Sequence, residues 1–590
     1  MINLVPPAAI FIVGALLIPL LKGKLKSVYM LLLPILAFIN LINMPEGKYW
    51  VITFLNYNLI FGRVDRLSMV FGYIFVIISF IGILYALHVK DDSQHIAALL
   101  YAGSALGVTF AGDLFSLYIF WEIMALSSVI LVWAQRTQKS RSAGFRYFMW
   151  HFFGGLCLLA GIVLYVHNRG TPAFDYIGLN DLASYLIFIG FCLNAVVFPF
   201  HAWLPDAYPE ATVTGAVFMS ALTTKSAVYI LARTYPGTEI LIWMGAFMTC
   251  FPIFYAVIVN DMRRVLAYSL INQVGFMICG IGIGTQLAIN GAAAHAFCHI
   301  IYKALLFMSV GAVLHMTGKS RGTDLGGLYK TMPFTAVCCI IGAASISAFP
   351  LFSGFTSKAM TITAVANEHL PIIWFMLQFA SAGVFHHAGI KVPYFTFFGE
   401  DSGIRAKEPP MNMRAAMGIA AFLCIFLGIY PYPLYKILPY AVDFVPYTIF
   451  HVVGMLQLLM FGALAFTILI LSGYYPAELR AVHLDTDWFV RVPGKLFIWF
   501  CEKPLITFGN FIDRIVLKVA AGTSNLSTNG ATILENGMDK FYHLGLTAIP
   551  TVIYNWIRPL RMEIGYIPLN LIYILISFIG FLFAMFLLGG

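Results

Sequence analysis

About sixteen apolar runs decide what this chain can become. They fall at 5–21, 27–43, 67–88, 94–111, 113–134, 145–167, 182–200, 212–234, 239–260, 265–285, 290–316, 334–353, 371–398, 413–431, 450–473 and 567–588. Each is close to or above the length that crosses a hydrocarbon core. A backbone in lipid must satisfy its own hydrogen bonds, so such runs become helices. We therefore expect an all-α polytopic membrane protein of about sixteen transmembrane helices. The composition agrees: of 590 residues 61% are hydrophobic and only 10% charged, where a soluble chain carries about 25% charged residues. The net charge of +9 is modest and gives no reason to expect nucleic acid as a partner. The opening stretch, "MINLVPPAAIFIVGALLIPLLKGKLK", lacks a basic n-region and an A-x-A site. It reads as a retained first span rather than a signal peptide.

Basic residues give the orientation. Lys22, Lys24, Lys26, Lys90, Arg136, Lys139, Arg141, Arg146, Arg263, Arg264, Lys319, Arg321, Lys330, Arg405 and Lys407 fall in loops on one side. The other side holds only Lys48, Arg63, Arg66, Arg169, Arg233 and Lys436. By the positive-inside rule the richer side is cytoplasmic, so the N-terminus lies outside, as does the C-terminus after sixteen spans. The nine cysteines are scattered, with Cys338 and Cys339 the one adjacent pair. Neither an iron–sulfur site nor a disulfide framework follows, and no cofactor and no metal site are expected. No Gly-rich phosphate loop or nucleophile–base motif stands in a suitable context either, which disfavours a hydrolase.

The charges inside the spans carry the functional information. "FSLYIFWEIMALSSVILVW", Phe115 to Trp133, contains one carboxylate, Glu122. Scales for a charge at the centre of a spanning helix start near ~3 kcal/mol, so an acid here implies a use. Lys225, His295, His299, Lys303, His386, His387 and Lys391 also fall in spans, and Lys358 follows one directly. His295, His299 and Lys303 are spaced four and four, within about 80° on one helix face and over about 12 Å of its axis. Groups of this kind can pass protons along a wetted file; the plainer alternative is hydrogen bonding between helices. His387 and Lys391 share a face while His386 points about 100° away. That trio reads either as an extra relay or as helix packing and basic anchoring.

Two segments interrupt the helices in corresponding ways. "NAVVFPFHAWLPDAYPEA" places Pro199, Pro205 and Pro209 in an apolar setting, and "ISAFPLFSGFTSK" combines Pro350, Gly354 and Lys358. Interrupted spans in two successive halves point to two inverted repeats containing broken helices, with sites at the breaks. Between the last two spans, "DWFVRVPGKLFIWFCEKPLITFGNFIDRIVLKVA" alternates aromatic and basic residues in the manner of helices lying in the headgroup plane. A C-terminal interfacial segment before the final helix is expected.

"DLFSLYIFWEIMALSS", "FPFHAWLPDAYPEATV", "ALTTKSAVYILAR", "DMRRVLAYSLINQVGF", "HAFCHIIYKALLF", "TDLGGLYKTMPFT" and "FPLFSGFTSK" occur in this order over about 95–430. The series resembles the proton-translocating antiporter-like subunits of respiratory complex I, membrane-bound hydrogenases and Mrp-type cation/proton antiporters. "VFHHAGIKVPYFTFFGEDSGIRAKEPPMNM" is most similar to the D subunit of the Mrp type. The resemblance implies a division into N-terminal helices (1–94), a first antiporter-like repeat (95–234) and a second (235–400). Peripheral helices (401–473), an amphipathic cytoplasmic-side segment (474–566) and a final helix (567–590) follow. It matches Glu122 to the family's switch carboxylate, Lys225 to its eighth-helix lysine, His299 and Lys303 to its central relay, and Lys358 to its exit lysine. His295 lies on the same stripe. Asn194 stands where the family's switch lysine belongs, a departure that leaves Glu122 without its standard cation.

The function so implied is a proton-translocating subunit of a multisubunit Na⁺/H⁺-type antiporter in the bacterial cytoplasmic membrane. Its partners would be other subunits of that assembly, protons, monovalent cations and the lipid bilayer. A redox-driven translocase related to NADH:quinone oxidoreductase or membrane-bound hydrogenase is the alternative. A coupling subunit for another species, such as inorganic carbon, is a third.

Overall fold

The computed structural model describes residues 5–54, 57–476 and 485–524. They form two units, Met1–His483 and Leu484–Gly590. The first begins with α1 (Pro7–Leu17), α2 (Gly23–Ile42), strands β1 (Gly47–Phe54) and β2 (Tyr57–Val64), α3 (Arg66–Ala86) and α4 (Asp92–Phe110). It continues through α5 (Leu114–Trp133), α6 (Gln138–Arg169), α7 (Leu182–Asn194), α8 (Trp203–Ala207), α9 (Val213–Ala221) and α10 (Thr223–Thr234). Next come α11 (Glu239–Ile258), α12 (Met262–Ile283), α13 (Gln286–Thr317), α14 (Pro333–Ile346), α15 (Ser353–Asn367) and α16 (Pro371–Val384). Two π-helical stretches, Phe385–Lys391 and Tyr394–Phe398, precede α17 (Met411–Ile429), α18 (Tyr432–Ile437) and α19 (Ile449–Leu471). The second unit contributes α20 (Asp487–Phe500) and α21 (Ile506–Ser524).

Among the described residues, ten helices are long and apolar enough to span, α9 and α10 being taken as one. That is fewer than the sixteen expected. The helices before the two breaks, Leu182–Asn194 and Pro333–Ile346, are too short to cross alone. The expected last span, 567–588, lies outside the described residues. The β1–β2 hairpin is a departure from an all-α fold. Its strands, "KYWVITF" and "YNLIFGRV", are aromatic and β-branched, which suits a pleated surface rather than a helix. The pairing is antiparallel, from Gly47 opposite Val64 to Phe54 opposite Tyr57.

Burial sorts the helices. α12, α13 and the α9–α10 pair are enclosed nearly throughout, whereas α2 and α19 expose long apolar side chains such as Leu25, Ile39, Phe461 and Ile468. Lipid can cover the outer helices, but only the enclosed ones can carry polar groups at low cost. Local signals set the ends. Asp65, Asp113, Thr137, Asp181 and Asp261 each cap a helix by accepting a backbone N–H bond. Gly170 and Gly318 close the two longest helices in the left-handed conformation that glycine adopts without strain.

A repeat is visible in the numbering. Adding 148 to Asp113, Gln138 and Gly170 gives Asp261, Gln286 and Gly318, and α6 and α13 are each 32 residues long. The bridge between Asp113 and Ala173 returns as that between Asp261 and Arg321. The helix breaks also match bond for bond. After α7, the N–H groups of Ala195, Val196 and Val197 go to Phe191, Leu193 and Cys192. After α14, those of Ser347, Ala348 and Phe349 go to Ala343, Ser345 and Ala344 in the same pattern. Val196 (φ 53°) and Ala348 (φ 58°) hold the same left-handed turn.

In the second unit, α20 and α21 are amphipathic. Leu496, Phe497, Phe508, Phe511 and Ile515 are exposed, on helices that also carry Arg491, Lys495 and Arg514.

Candidate functional site

Glu122 projects from α5 toward a gap in α6. Its Oε1 fills the space where a Cβ on Gly155 would stand, so the absent side chain makes the carboxylate's seat. Tyr118, one turn earlier on α5, lies near the carboxylate, while Oε1 has no protein partner. Asn194, the last residue of α7, accepts a hydrogen bond at Oδ1 from Nδ1 of His151 at 2.8 Å. The His151 ring packs on Tyr147 and on Trp203, centroids 4.2 and 4.6 Å away. The Trp203 indole N–H donates to Leu193 O, a carbonyl at the broken end of α7. The Leu193 carbonyl thus takes the indole N–H beside the Val196 N–H, which keeps a backbone group at the break satisfied, as burial in lipid requires.

Lys225 sits beside another discontinuity. α9 ends at Ala221 and α10 begins at Thr223, which releases carbonyls that the helix would otherwise bond. Tyr208 donates its hydroxyl to Met219 O at 2.7 Å, and Lys225 Nζ donates to Ser220 O at 2.7 Å and to Thr224 Oγ1 at 3.0 Å. The Thr223 N–H goes to the hydroxyl of Tyr101. Thr223 lies near Tyr147, whose hydroxyl meets Ser128 Oγ at 2.7 Å. The hydroxyls of Ser128, Tyr147, Tyr101, Thr223 and Thr224 thus lie between the neighbourhood of His151 and Lys225.

On α13 the three spaced residues are all buried. His295 Nδ1 lies 3.0 Å from Ser357 Oγ, and Lys303 Nζ donates to Ser269 Oγ at 2.9 Å. Between them His299 meets no hydrogen-bonding partner at either ring nitrogen. Charge from Lys225, Lys303, His295 and Lys358 all reaches His299, which makes it the hub of the group. Lys358 Nζ donates to Ile346 O, the last carbonyl of α14, and lies 4.9 Å above the Phe276 ring. The second break is therefore capped by the very lysine that follows it.

The C-terminal trio separates. Lys391 Nζ donates to the carbonyls of Ala256, Val257 and Val259 at the end of α11, a favourable place for a cation. His387 is buried within electrostatic reach of Lys303 and Lys391. His386 packs instead on Phe466 and Tyr475.

Of the residues singled out from sequence, Lys225, His295, His299, Lys303 and Lys358 come together, with His387 at their edge. Glu122 and Asn194 belong to a second cluster around α5, α6 and α7. Sequence reading passes over His151, Tyr147, Tyr101 and Thr223. A histidine in the run 145–167 is the available signal, and its partner is 43 positions away.

Residues 111–384 match the family described as NADH:quinone oxidoreductase/Mrp antiporter, TM. The chain is similar to the A subunit of the Na(+)/H(+) antiporter of Alkalihalophilus pseudofirmus, 29% identical over 77% of this chain and 64% of that protein. It is also similar to the D subunit of the Na(+)/H(+) antiporter from the same organism, 32% identical over 50% of this chain and 63% of that one. In each case the chain spans less than two thirds of its relative's length. The fold is that of a chain in the Mrp complex from Dietzia sp. DQ12-45-1b, with a TM-score of 0.74 at 22% identity over 88% of this chain and 63% of that one.

Proposed function

We propose, on the premise that the chain belongs through residues 111–384 to the NADH:quinone oxidoreductase/Mrp antiporter membrane family, that it is the proton-translocating subunit of a multisubunit Na⁺/H⁺-type antiporter. The observation that carries the reading is the buried group of Lys225, His295, His299, Lys303 and Lys358, with the hydroxyls of Thr223, Tyr147 and Ser128 between it and the cluster of Glu122 and Asn194. Side chains that exchange protons with one another and with water need no cofactor for this chemistry. The driving force suffices, since one charge crossing 100 mV is worth ~2.3 kcal/mol.

In this reading the repeats are 95–234 and 235–400, flanked by helices in 1–94 and 401–473. Protons pass from Glu122 by Lys225 to His299 and Lys303, with His295 alongside, and leave at Lys358. Lys391 anchors the end of α11, and His387 is a side branch of Lys303. Within the segment 474–566, α20 and α21 lie in the cytoplasmic headgroup plane, supported by their exposed apolar residues and their basic residues; 525–566 lies outside the described residues. The chain works in the bacterial cytoplasmic membrane with further antiporter subunits. A redox-driven pump is the second reading, favoured by the quinone oxidoreductases within the same family.

Everted vesicles carrying the assembled complex separate the two. An imposed proton gradient that collapses on adding NaCl supports antiport. Indifference to sodium, potassium and lithium, together with proton uptake driven by an electron donor, would favour the redox pump.

A further inference from the structure

His151 has no part in the path just described, yet it occupies the most constrained position in the first repeat. It is 2% exposed. Because Asn194 Oδ1 accepts its hydrogen bond, Nδ1 carries the hydrogen and Nε2 the lone pair. Nε2 meets no protein partner, a condition shared by Asn194 Nδ2 and Glu122 Oε1. Three buried polar atoms of neighbouring residues left in this way are unusual, since such groups are nearly always paired.

The register of α5 against α6 places the acid one helical turn from the imidazole. Glu122 Oε1 rests at Gly155, which lies one turn beyond His151 on the same face of α6. Ser128 meets Tyr147, one turn before His151. His151 therefore lies between these two contacts, level with the small side chain of Ala125. Side chains four apart on a helix face are about 5–6 Å apart at Cβ, so the carboxylate lies about one helical turn from the histidine's Cβ, and its Oε1 makes no direct hydrogen bond to Nε2.

The repeat supplies an independent observation. Adding 148 to Tyr147, His151 and Gly155 gives His295, His299 and Lys303. His151 and His299 each stand thirteen positions after the first residue of a 32-residue helix, Gln138 and Gln286. In the second repeat the third position bears a lysine. In the first it bears a glycine whose space holds the carboxylate of Glu122.

We propose that His151, oriented by Asn194, is the proton-carrying partner of Glu122 in the first repeat. The inference rests on the proton-translocating function proposed above. Glu122 Oε1 and His151 Nε2 are not bonded to each other, so the proton on Oε1 passes to Nε2 through an intervening water, leaving a carboxylate and an imidazolium. Nδ1–H stays on Asn194 Oδ1 throughout. The proton then departs from Nε2 and restores the neutral ring. Asparagine serves here where a lysine would not, because it fixes the tautomer without adding a second charge. His151 contacts Tyr147 from α6, Asn194 from α7 and Trp203 from the segment beyond the break, with Ser128 on Tyr147 and Glu122 at Gly155 as the polar groups of α5 on this side. Arg146 and Asp206 nearby neutralise each other in a two-bonded pair, at 2.7 and 2.9 Å.

The test is the pH profile of coupled transport by the assembled complex in everted vesicles. His151→Gln is expected to lose at least tenfold in rate at an unchanged level of assembly. Asn194→Ala, which frees the ring, is expected to lose less and to displace the pH optimum. In the double variant His151→Gln/Asn194→Lys, a cation returns beside Glu122 and transport recovers with a displaced optimum. A wild-type rate and profile in His151→Gln, with Glu122→Gln inactive, overturns the inference and leaves the function standing. An active Glu122→Gln overturns the function itself. If His151→Gln does not assemble, an unchanged pH profile in Asn194→Ala overturns the inference.

Discussion

Glu122 is legible from sequence because a lone acid in an apolar run has no bland explanation. Its seat is not, because the gap that receives it is made by Gly155 on another helix. This gives a prediction at the scale of one methyl group. Gly155→Ala drives a Cβ against Glu122 Oε1, and the flexible end of the glutamate yields more readily than the helix. The variant should assemble normally and lose roughly tenfold or more in transport, about 1.4 kcal/mol in the barrier. Normal turnover in Gly155→Ala would show that the carboxylate need not sit there. On α13, Lys303→Ala removes a buried amine from the path, as Lys358→Ala does at the second break, and each should cripple transport. His299→Ala should be milder where water fills the space. Vesicle assays of the three variants rank them, and full activity in Lys303→Ala would mark the stripe as structural.

At the scale of elements, the two breaks are readable from Pro199 and Pro350 because proline removes a ladder bond and signals its own position. The discontinuity at Leu222 carries neither proline nor glycine at the break, and so has no such signal. It is held open by long-range partners, Tyr101, Tyr208 and Lys225, that only the fold brings together. The β1–β2 hairpin escapes for a different reason: it is short and lies between spans, where hydropathy is silent. Lys225 is thus asked to do two things. Lys225→Met should leave the Ser220 carbonyl unpartnered in a buried setting, at about 1–3 kcal/mol, and interrupt the path between the clusters. A lowered unfolding temperature of the purified complex together with lost transport is expected. A variant that loses transport at unchanged stability would confine Lys225 to the proton path.

For the whole molecule, the order of motifs over 95–430 carries the resemblance to the family matched by residues 111–384, because polar residues inside spans are few and specifically placed. The number of spans is harder. Hydropathy adds up apolar residues, whereas the fold divides the runs 182–200 and 334–353 at their breaks into helices too short to cross alone. The partner cation belongs to the complete assembly, so sodium, potassium and lithium should be compared in the same vesicles, with sodium giving the largest collapse of the proton gradient. The most direct measurement is Glu122→Gln in the assembled complex, followed as cation-dependent dissipation of an imposed proton gradient in everted vesicles. Glutamine keeps the size of the side chain and its contact with Gly155 but cannot exchange a proton. Assembly at the wild-type level with transport reduced to the background of vesicles lacking the complex is the expected result. Wild-type transport by that variant would mean that the proton does not pass through Glu122.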